Sequence, residues 1–330
     1  MDIKTMDTKQ FIDEFFEANT DINQNKTKKS IDRPEVYKFE KEKGKKLLEM
    51  NPDELLEMIS TFKQKNSKHL GRSIALSSYS MIAYMFRRLW EYYNEMSDSP
   101  IRNPWYSRKL KGAEARKYLA GSAEVMSKND FDEIISDIHG AFDTEMANYL
   151  ECVVLLFFYG IQRPAEIPMI KEPDINFKSR TIYLYGRSIK ISDRALYLLQ
   201  YVHKLNAMPG FKYDFVAASW HDSYFKFIIR ESNLADFQNT DINKLSIKLS
   251  QLFTRITKEI GKNILPGQVY NLGLYLRLVD KYGEDDASIM VMSLRDEKSN
   301  HKLMEFMDEN GYKDSVTRFK YIMIPYFQNN

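Results

Sequence analysis

One cysteine, Cys152, occurs in 330 residues, so no intrachain disulfide can form. It lies in the run Glu151-Cys-Val-Val-Leu-Leu-Phe-Phe-Tyr-Gly160, where a thiol acts as a small apolar core group. Glycine (13) and proline (10) are scarce, which argues against a fold built of turns and short strands. No apolar run is long enough to span a bilayer, and no membrane partner is expected. The segment from Met1 to Glu17 is polar and acidic and lacks the apolar stretch of a signal peptide, which predicts a cytoplasmic protein. The five histidines, His69, His139, His203, His221 and His301, fall at no metal-ligand spacing, and no cofactor is expected. An excess of one charge is also missing: 48 Lys and Arg against 46 Asp and Glu leave +2. Bulk basicity therefore does not point to nucleic acid, and a DNA-binding face requires uneven placement of Lys and Arg.

What is abundant is aromatic and helix-patterned. Tyr (21) and Phe (20) are frequent, and 43% apolar with 28% charged residues is a soluble globular composition. The length suits about two domains. Apolar residues recur mostly at helical spacing, so a mainly α protein is expected.

Three segments are predicted: 1–50, an N-terminal helix and polar arm; 51–122, a helical domain; and 123–330, a larger domain. Residues 7–18 read as an amphipathic helix with Phe11, Phe15 and Phe16 on one side. Asn19 to Arg33 reads as a linker or arm, and 35–50 as a solvated helix with alternating charges. Asn51-Pro52-Asp53-Glu54 is a helix start, followed by the stripe Leu55, Leu56, Ile59 and Phe62. Ser77 or Ser78 caps a helix to about Met96, with Ile82, Met85, Phe86, Leu89, Trp90 and Tyr93 inward. Gly121-Ser122 marks a boundary. Ser127 and Asp130 form a capping box for the first of two helices, 128–140 and 143–161. Two β-rich runs, Asp174–Tyr185 and Ser188–Ser192, are split by Gly186-Arg187 and predict a small hairpin or sheet. Helices are expected again at 194–204, 220–231, 243–260, 266–281, 298–309 and 313–325.

The segment from Leu155 to Leu199 carries the most specific pattern. A Leu- and Phe-rich helix ends in Gly160, Arg163-Pro-Ala-Glu166 follows, then Asp174-Ile-Asn-Phe177, a β-hairpin and a helix start at Ser192-Asp193. Near the C-terminus, Gly311-Tyr312 is followed nine residues after Tyr312 by Tyr321. Both stretches resemble signature boxes of the tyrosine recombinases, the phage integrase family. The resemblance implies a helical core-binding (SAM-like) domain, represented around Leu76-Ser77-Ser78-Tyr79, plus a mixed α/β tyrosine-recombinase catalytic-like domain with a small β-hairpin or sheet. It maps the phosphate-contacting Arg onto Arg163, a His or Trp position onto Tyr312, and the nucleophile onto Tyr321. Two departures stand out. Gln162 is an extra residue between the Gly-hydrophobic pair and Arg163. The family's His-x-x-Arg box, usually just after a Pro, falls on Pro266-Gly267-Gln268-Val269-Tyr270-Asn271, which holds neither His nor Arg. Arg277, two turns further on, is expected to point away. The Lys-bearing hairpin is short, and Arg187, Lys178 or Lys190 stands in for its Lys.

In that family, charge on the pentavalent phosphate is met by two Arg and a His, and each lost donor costs on the order of 100- to 1000-fold in rate. An unassisted tyrosine, with a pKa of about 10, is a poor nucleophile near neutrality. The positions Arg163, Tyr312 and Tyr321 therefore read as vestigial. DNA binding needs no cleavage chemistry, only Lys and Arg on the clamp surface. The candidate contacts are Lys63, Lys65, Lys68 and Arg72; Arg102, Arg108, Lys109 and Lys111; and Arg163, Arg187 and Arg255. The expectation is a sequence-specific, double-stranded-DNA-binding transcriptional repressor of a phage or prophage, controlling lysogeny at the host nucleoid. Tyr326-Phe327 offers a tail for self-association on DNA. The alternative is a divergent active recombinase working through Tyr321.

Overall fold

In the computed structural model the described residues are 7–20, 24–62, 76–110, 112–121, 125–206 and 215–328. The chain divides into two compact units, Met1–Glu124 with Phe327–Asn330, and Val125–Tyr326. Both are mainly α, and the second also carries small antiparallel sheets.

The first unit begins with α1 (Thr8–Ala18), capped by Asp7, whose carboxylate accepts from the Gln10 amide. Its apolar stripe buries Phe11, Ile12, Phe15 and Phe16. The polar stretch expected as an arm instead forms α2 (Gln24–Ile31). Two anchors explain the difference: Ile31 is fully buried, and Lys28 pairs with Asp13 at 2.6 Å. The charged segment after it is α3 (Pro34–Lys43), solvated on one side as expected but burying Val36 and Phe39 on the other. α4 (Pro52–Ser60) starts at the predicted Asn51 and forms a capping box that was not read there, Asn51 Oδ1 accepting from the Asp53 and Glu54 amides while Glu54 accepts from Asn51 N. α5 (Leu76–Met96) turns all six predicted residues, Ile82 to Tyr93, into the core. The caps Ser77 and Ser78 and the boundary residue Ser122 lie outside the described side chains. A 3₁₀ turn, Pro104–Tyr106, then inserts Trp105 against Phe86 (stacked, 5.3 Å) and Trp90 (edge-on, 6.2 Å), and α6 (Gly112–Gly121) closes the unit. The first 50 residues and the later helices share one aromatic-rich core.

In the second unit α7 (Lys128–Ala141) starts at the predicted Ser127–Asp130 box, and α8 (Thr144–Tyr159) is buried almost all round. Cys152 is interior, as expected, and burial pushes its thiol pKa up. The β-rich runs form a three-stranded antiparallel sheet of β1 (Ile175–Asn176), β2 (Thr181–Leu184) and β3 (Arg187–Lys190). Tyr185 and Gly186 close the β2–β3 hairpin, both at positive φ (52° and 76°), which suits the twist of a two-residue turn. α9 (Asp193–Lys204) is capped by Ser192.

The helix expected at 220–231 is not there. β4 (Phe215–Ser219) and β5 (Lys226–Arg230) pair antiparallel instead. The run Lys226-Phe-Ile-Ile-Arg230 buries Phe227 and Ile229 and leaves the alternate residues less buried, a period of two that a helix cannot satisfy. The remaining chain is helical: α10 (Leu234–Phe237), α11 (Ile242–Ile260), α12 (Pro266–Tyr282), α13 (Glu284–Met292), α14 (Glu297–Glu309) and α15 (Val316–Gln328). α13 was not anticipated. Among the described residues no helix is long and apolar enough to cross a membrane.

α12 crosses α8 at Gly273, where a Cβ would lie 1.8 Å from the Phe158 carbonyl oxygen. Gly273→Ala is therefore expected to lose about 1–3 kcal/mol by overpacking despite its better helix propensity. Gly267→Ala, in open space on the same helix, should be neutral or gain less than about 1 kcal/mol. Urea denaturation of both variants checks the pair.

A buried carboxylate ties α7, α8 and α9 together. Glu151, 4% exposed, accepts from Arg194 Nη2 (2.6 Å) and Nε (3.0 Å) and lies 2.7 Å from His139 Nε2. Burial acts to raise its pKa, but the bonds from Arg194 and His139 outweigh it and hold the group below the ordinary carboxylate range. A depressed acid stabilises the fold above its unfolded pKa of about 4.3, and that contribution disappears as pH falls through the folded value. Glu151→Gln should make thermal stability less steeply dependent on pH below about 4.3, and an unchanged slope in melting curves would count against this role.

Candidate functional site

The end of α8 sets up a polar centre. Gly160 (φ 139°) ends the helix, and Ile161, fully buried, anchors the chain as it leaves. Gln162 then turns inward. Its Nε2 donates to Gly311 O at 2.7 Å, with the Tyr270 hydroxyl at 3.2 Å and Asn310 O at 3.4 Å. Its backbone N–H donates to Glu166 Oε2 at 3.0 Å. The same oxygen accepts from Arg187 Nη2 at 2.6 Å, and Arg187 Nη1 donates to Gly160 O at 3.0 Å. Arg187 sits on β3 at 7% exposure and Glu166 on the 3₁₀ turn Pro164–Met169 at 8%. Gly311, at φ 63°, lets the Arg187 stem pass beneath the α14–α15 turn: a Cβ there would lie 1.7 Å from Arg187 Cδ.

Arg277 completes the centre and corrects the expectation that it points away. Seven residues separate it from Tyr270, about two helical turns, so both lie on the same face of α12. Its Nη1 donates to Phe158 O at 2.8 Å and its Nε to Asn310 Oδ1 at 2.9 Å. Burial pushes its pKa down to about 10. Burial also raises the pKa of Tyr270, and that of Tyr312 to about 12, so both phenols are neutral near pH 7. Gln162, Arg187 and Arg277 thus all donate to oxygens of the protein itself.

Arg163 lies apart from this network. It is exposed at the start of the 3₁₀ turn, and among the described residues its side chain has no hydrogen-bond or ion-pair partner. Glu166, its closest acid in sequence, is taken by Arg187. Tyr321 lies on the buried face of α15, 6% exposed. Its neighbour Lys320 is fully buried, donates to Ser293 O at 2.6 Å, and has its pKa pushed down by burial.

The remaining cations divide by environment. Arg102 and Arg108 are exposed and, among the described residues, have no ion pair. Lys109 pairs with Asp53 at 2.7 Å, and Arg116 donates to Ser80 at 2.7 Å. Arg255 lies over the Phe142 ring at 5.4 Å. Arg187 belongs to the interior rather than the surface. Lys63, Lys65, Lys68, Arg72 and Lys111 lie outside the described residues. Among the described residues no cluster of His, Cys, Asp and Glu is placed to hold a metal ion.

The Glu166–Arg187 pair and the inward Gln162 were missed from sequence. The signal for Gln162 was its standing as an extra residue between the Gly160-Ile161 pair and Arg163, the position onto which the resemblance maps the family Arg. The pairing of Arg187 with Glu166, 21 residues apart, had no local signal.

No protein-family model matches the chain, and no curated protein matches it. Solved structures similar to it include XerA recombinase (13% identity, 96% of this chain and 94% of that chain, TM-score 0.37). The Tn1549 transposon integrase in complex with circular intermediate DNA is similar at 14% identity (96% and 95% covered, TM-score 0.37). A lambda integrase dimer bound to a COC' core site is similar at 12% identity (93% and 79% covered, TM-score 0.32).

Removing one partner of a buried ion pair strands the other charge. Glu166→Ala should cost about 3–5 kcal/mol in urea denaturation, whereas the double variant Glu166→Leu/Arg187→Met should recover most of that loss.

Proposed function

We propose that the chain is a sequence-specific DNA-binding repressor built on an integrase-type scaffold whose strand-cleavage centre has been converted into a structural one. The observation that carries this reading is the polar centre around Gln162. The resemblance maps a His or Trp position onto Tyr312, its His-x-x-Arg box holds neither residue, and the guanidiniums of Arg187 and Arg277 are spent on Glu166, Gly160, Phe158 and Asn310. Stabilising a pentavalent phosphate needs donors aimed at the position its oxygens will take. Donors already satisfied by the protein must first break those bonds. Tyr321, 6% exposed, is a poor fit to a nucleophile that must reach a phosphodiester.

Binding would draw on other residues. Arg102, Arg108 and Arg163 are exposed and, among the described residues, unpaired, so neutralising them with phosphate sacrifices no internal ion pair. The chain in this reading resembles the recombinase-fold repressors that maintain lysogeny in SPβ-type temperate phages. Repression follows if the bound protein occludes a promoter, and self-association along DNA would extend the occluded stretch.

A gel shift of the full chain on promoter fragments of the element that encodes it is expected to give a specific complex at moderate salt. Log affinity should fall against log salt with a slope of about −0.9 per phosphate contacted. A flat dependence would point to a protein-interaction module instead. A nicked suicide duplex tests the alternative of an active recombinase: binding without a covalent Tyr321 adduct is expected, and a trapped adduct would overturn the proposal.

A further inference from the structure

Arg87 lies on α5 with Tyr84 three residues before it and Glu91 four after it, so the three side chains share one helix face. Tyr106, from the turn Pro104–Tyr106, covers the same face. The Arg87 guanidinium carbon is 5.4 Å from the Tyr84 ring centre and 5.9 Å from that of Tyr106. The Tyr106 hydroxyl donates to Glu91 Oε1 at 2.5 Å, and that oxygen stands 3.6 Å from Arg87 Nε. Nε is therefore held by charge but lies beyond hydrogen-bond reach, and it is buried without a hydrogen-bond partner. The main chain is fixed as well, since Arg87 O accepts from Asn103 Nδ2 at 3.0 Å.

Two rings and a carboxylate thus hold the inner parts of a guanidinium whose side chain is 39% exposed. Tyr84 (43%) and Tyr106 (53%) form a solvent-facing rim around it. The exposed cations Arg102 and Arg108 flank Tyr106 in the chain, and the facing acid, Glu91, is already engaged by Tyr106. A pinned arginine loses little rotamer freedom on binding, and its planar fork matches a pair of acceptors side by side. The guanine edge in the major groove, with O6 and N7, offers such a pair, and it is the commonest specific target of arginine on duplex DNA.

We propose that Arg87, clamped by Tyr84 and Tyr106 and backed by Glu91, is a base-reading residue that takes a guanine edge in the major groove, with Arg102 and Arg108 contacting the adjoining phosphates. The inference rests on the DNA-binding reading above and adds to it the residue that supplies sequence preference.

The test uses the full chain and a randomised duplex library, from which bound sequences are enriched; affinities are then measured for one enriched duplex and one scrambled duplex. Arg87→Ala should lose about ten- to a hundredfold on the enriched duplex and little on the scrambled one. Arg87→Lys should lose nearly as much, because it keeps the charge and discards the fork. Arg102→Ala/Arg108→Ala should weaken both duplexes alike and flatten the salt dependence. Unchanged melting curves establish that each variant is folded, and Tyr106→Phe, which leaves the ring in place, provides a milder probe of the clamp. Equal loss on both duplexes for Arg87→Ala, or none on the enriched one, overturns the proposal. If the wild-type chain enriches no motif yet binds duplex with a steep salt dependence, Arg87 reads no base although DNA binding stands. If it binds no duplex at all, the DNA-binding reading falls, and this inference with it.

Discussion

The buried pair between Glu166 and Arg187 is the constraint around which the second unit is organised. Desolvating a carboxylate and a guanidinium costs several kcal/mol each, and such a pair is tolerated only when its remaining hydrogen-bonding groups are satisfied. Here they are. The Glu166 oxygen that takes Arg187 also takes the Gln162 amide, and the second Arg187 nitrogen takes the Gly160 carbonyl at the end of α8. The hairpin that carries Arg187 is thereby fastened to the loop that follows α8, and the Arg187 stem leaves room only for a glycine at position 311.

From that anchor the rest of the centre follows. With Gln162 positioned by its own amide, its side chain reaches the α14–α15 turn at Gly311 and the Tyr270 hydroxyl on α12. Arg277 meets the same turn through Asn310 and the end of α8 through Phe158 O. Such a network rigidifies because each member is satisfied by another; a phosphate would have to compete with bonds already made in a low-dielectric setting. The proposed loss of cleavage chemistry and the rigidity of the unit are then two consequences of one arrangement, and the proposed nucleic-acid contacts fall to cations outside it.

The first unit relies on packing more than on charge. Trp90, Trp105 and Phe86 interlock at its centre, and the N-terminal helices add Phe11, Phe15 and Phe16 to the same core. Its surface retains arginines with different degrees of freedom. Arg102 and Arg108 are open to solvent, whereas Arg87 is clamped by aromatic rings. Side chains of the first kind suit phosphate, which asks only for charge, and those of the second suit a base edge, which asks for orientation.

Local signals determined much of this protein without tertiary information. The helix start at Asn51 and the capping box at Ser127 sit where they were read, because a cap depends on residues within about three of each other. The inward stripe of α5, the buried Cys152 and the hairpin turn at Gly186 were also legible, each from periodicity or composition within one element. Tertiary structure decided the rest. It made a helix of 24–31 by burying Ile31, and made strands of 215–219 and 226–230 by pairing two runs whose alternation is short. It turned Arg277 inward, sent Gln162 rather than Arg163 to the polar centre, and joined Arg187 to Glu166. A charged side chain's role is set by which oppositely charged or hydrogen-bonding group the fold brings within about 3 Å of it, and spacing along the chain does not encode that.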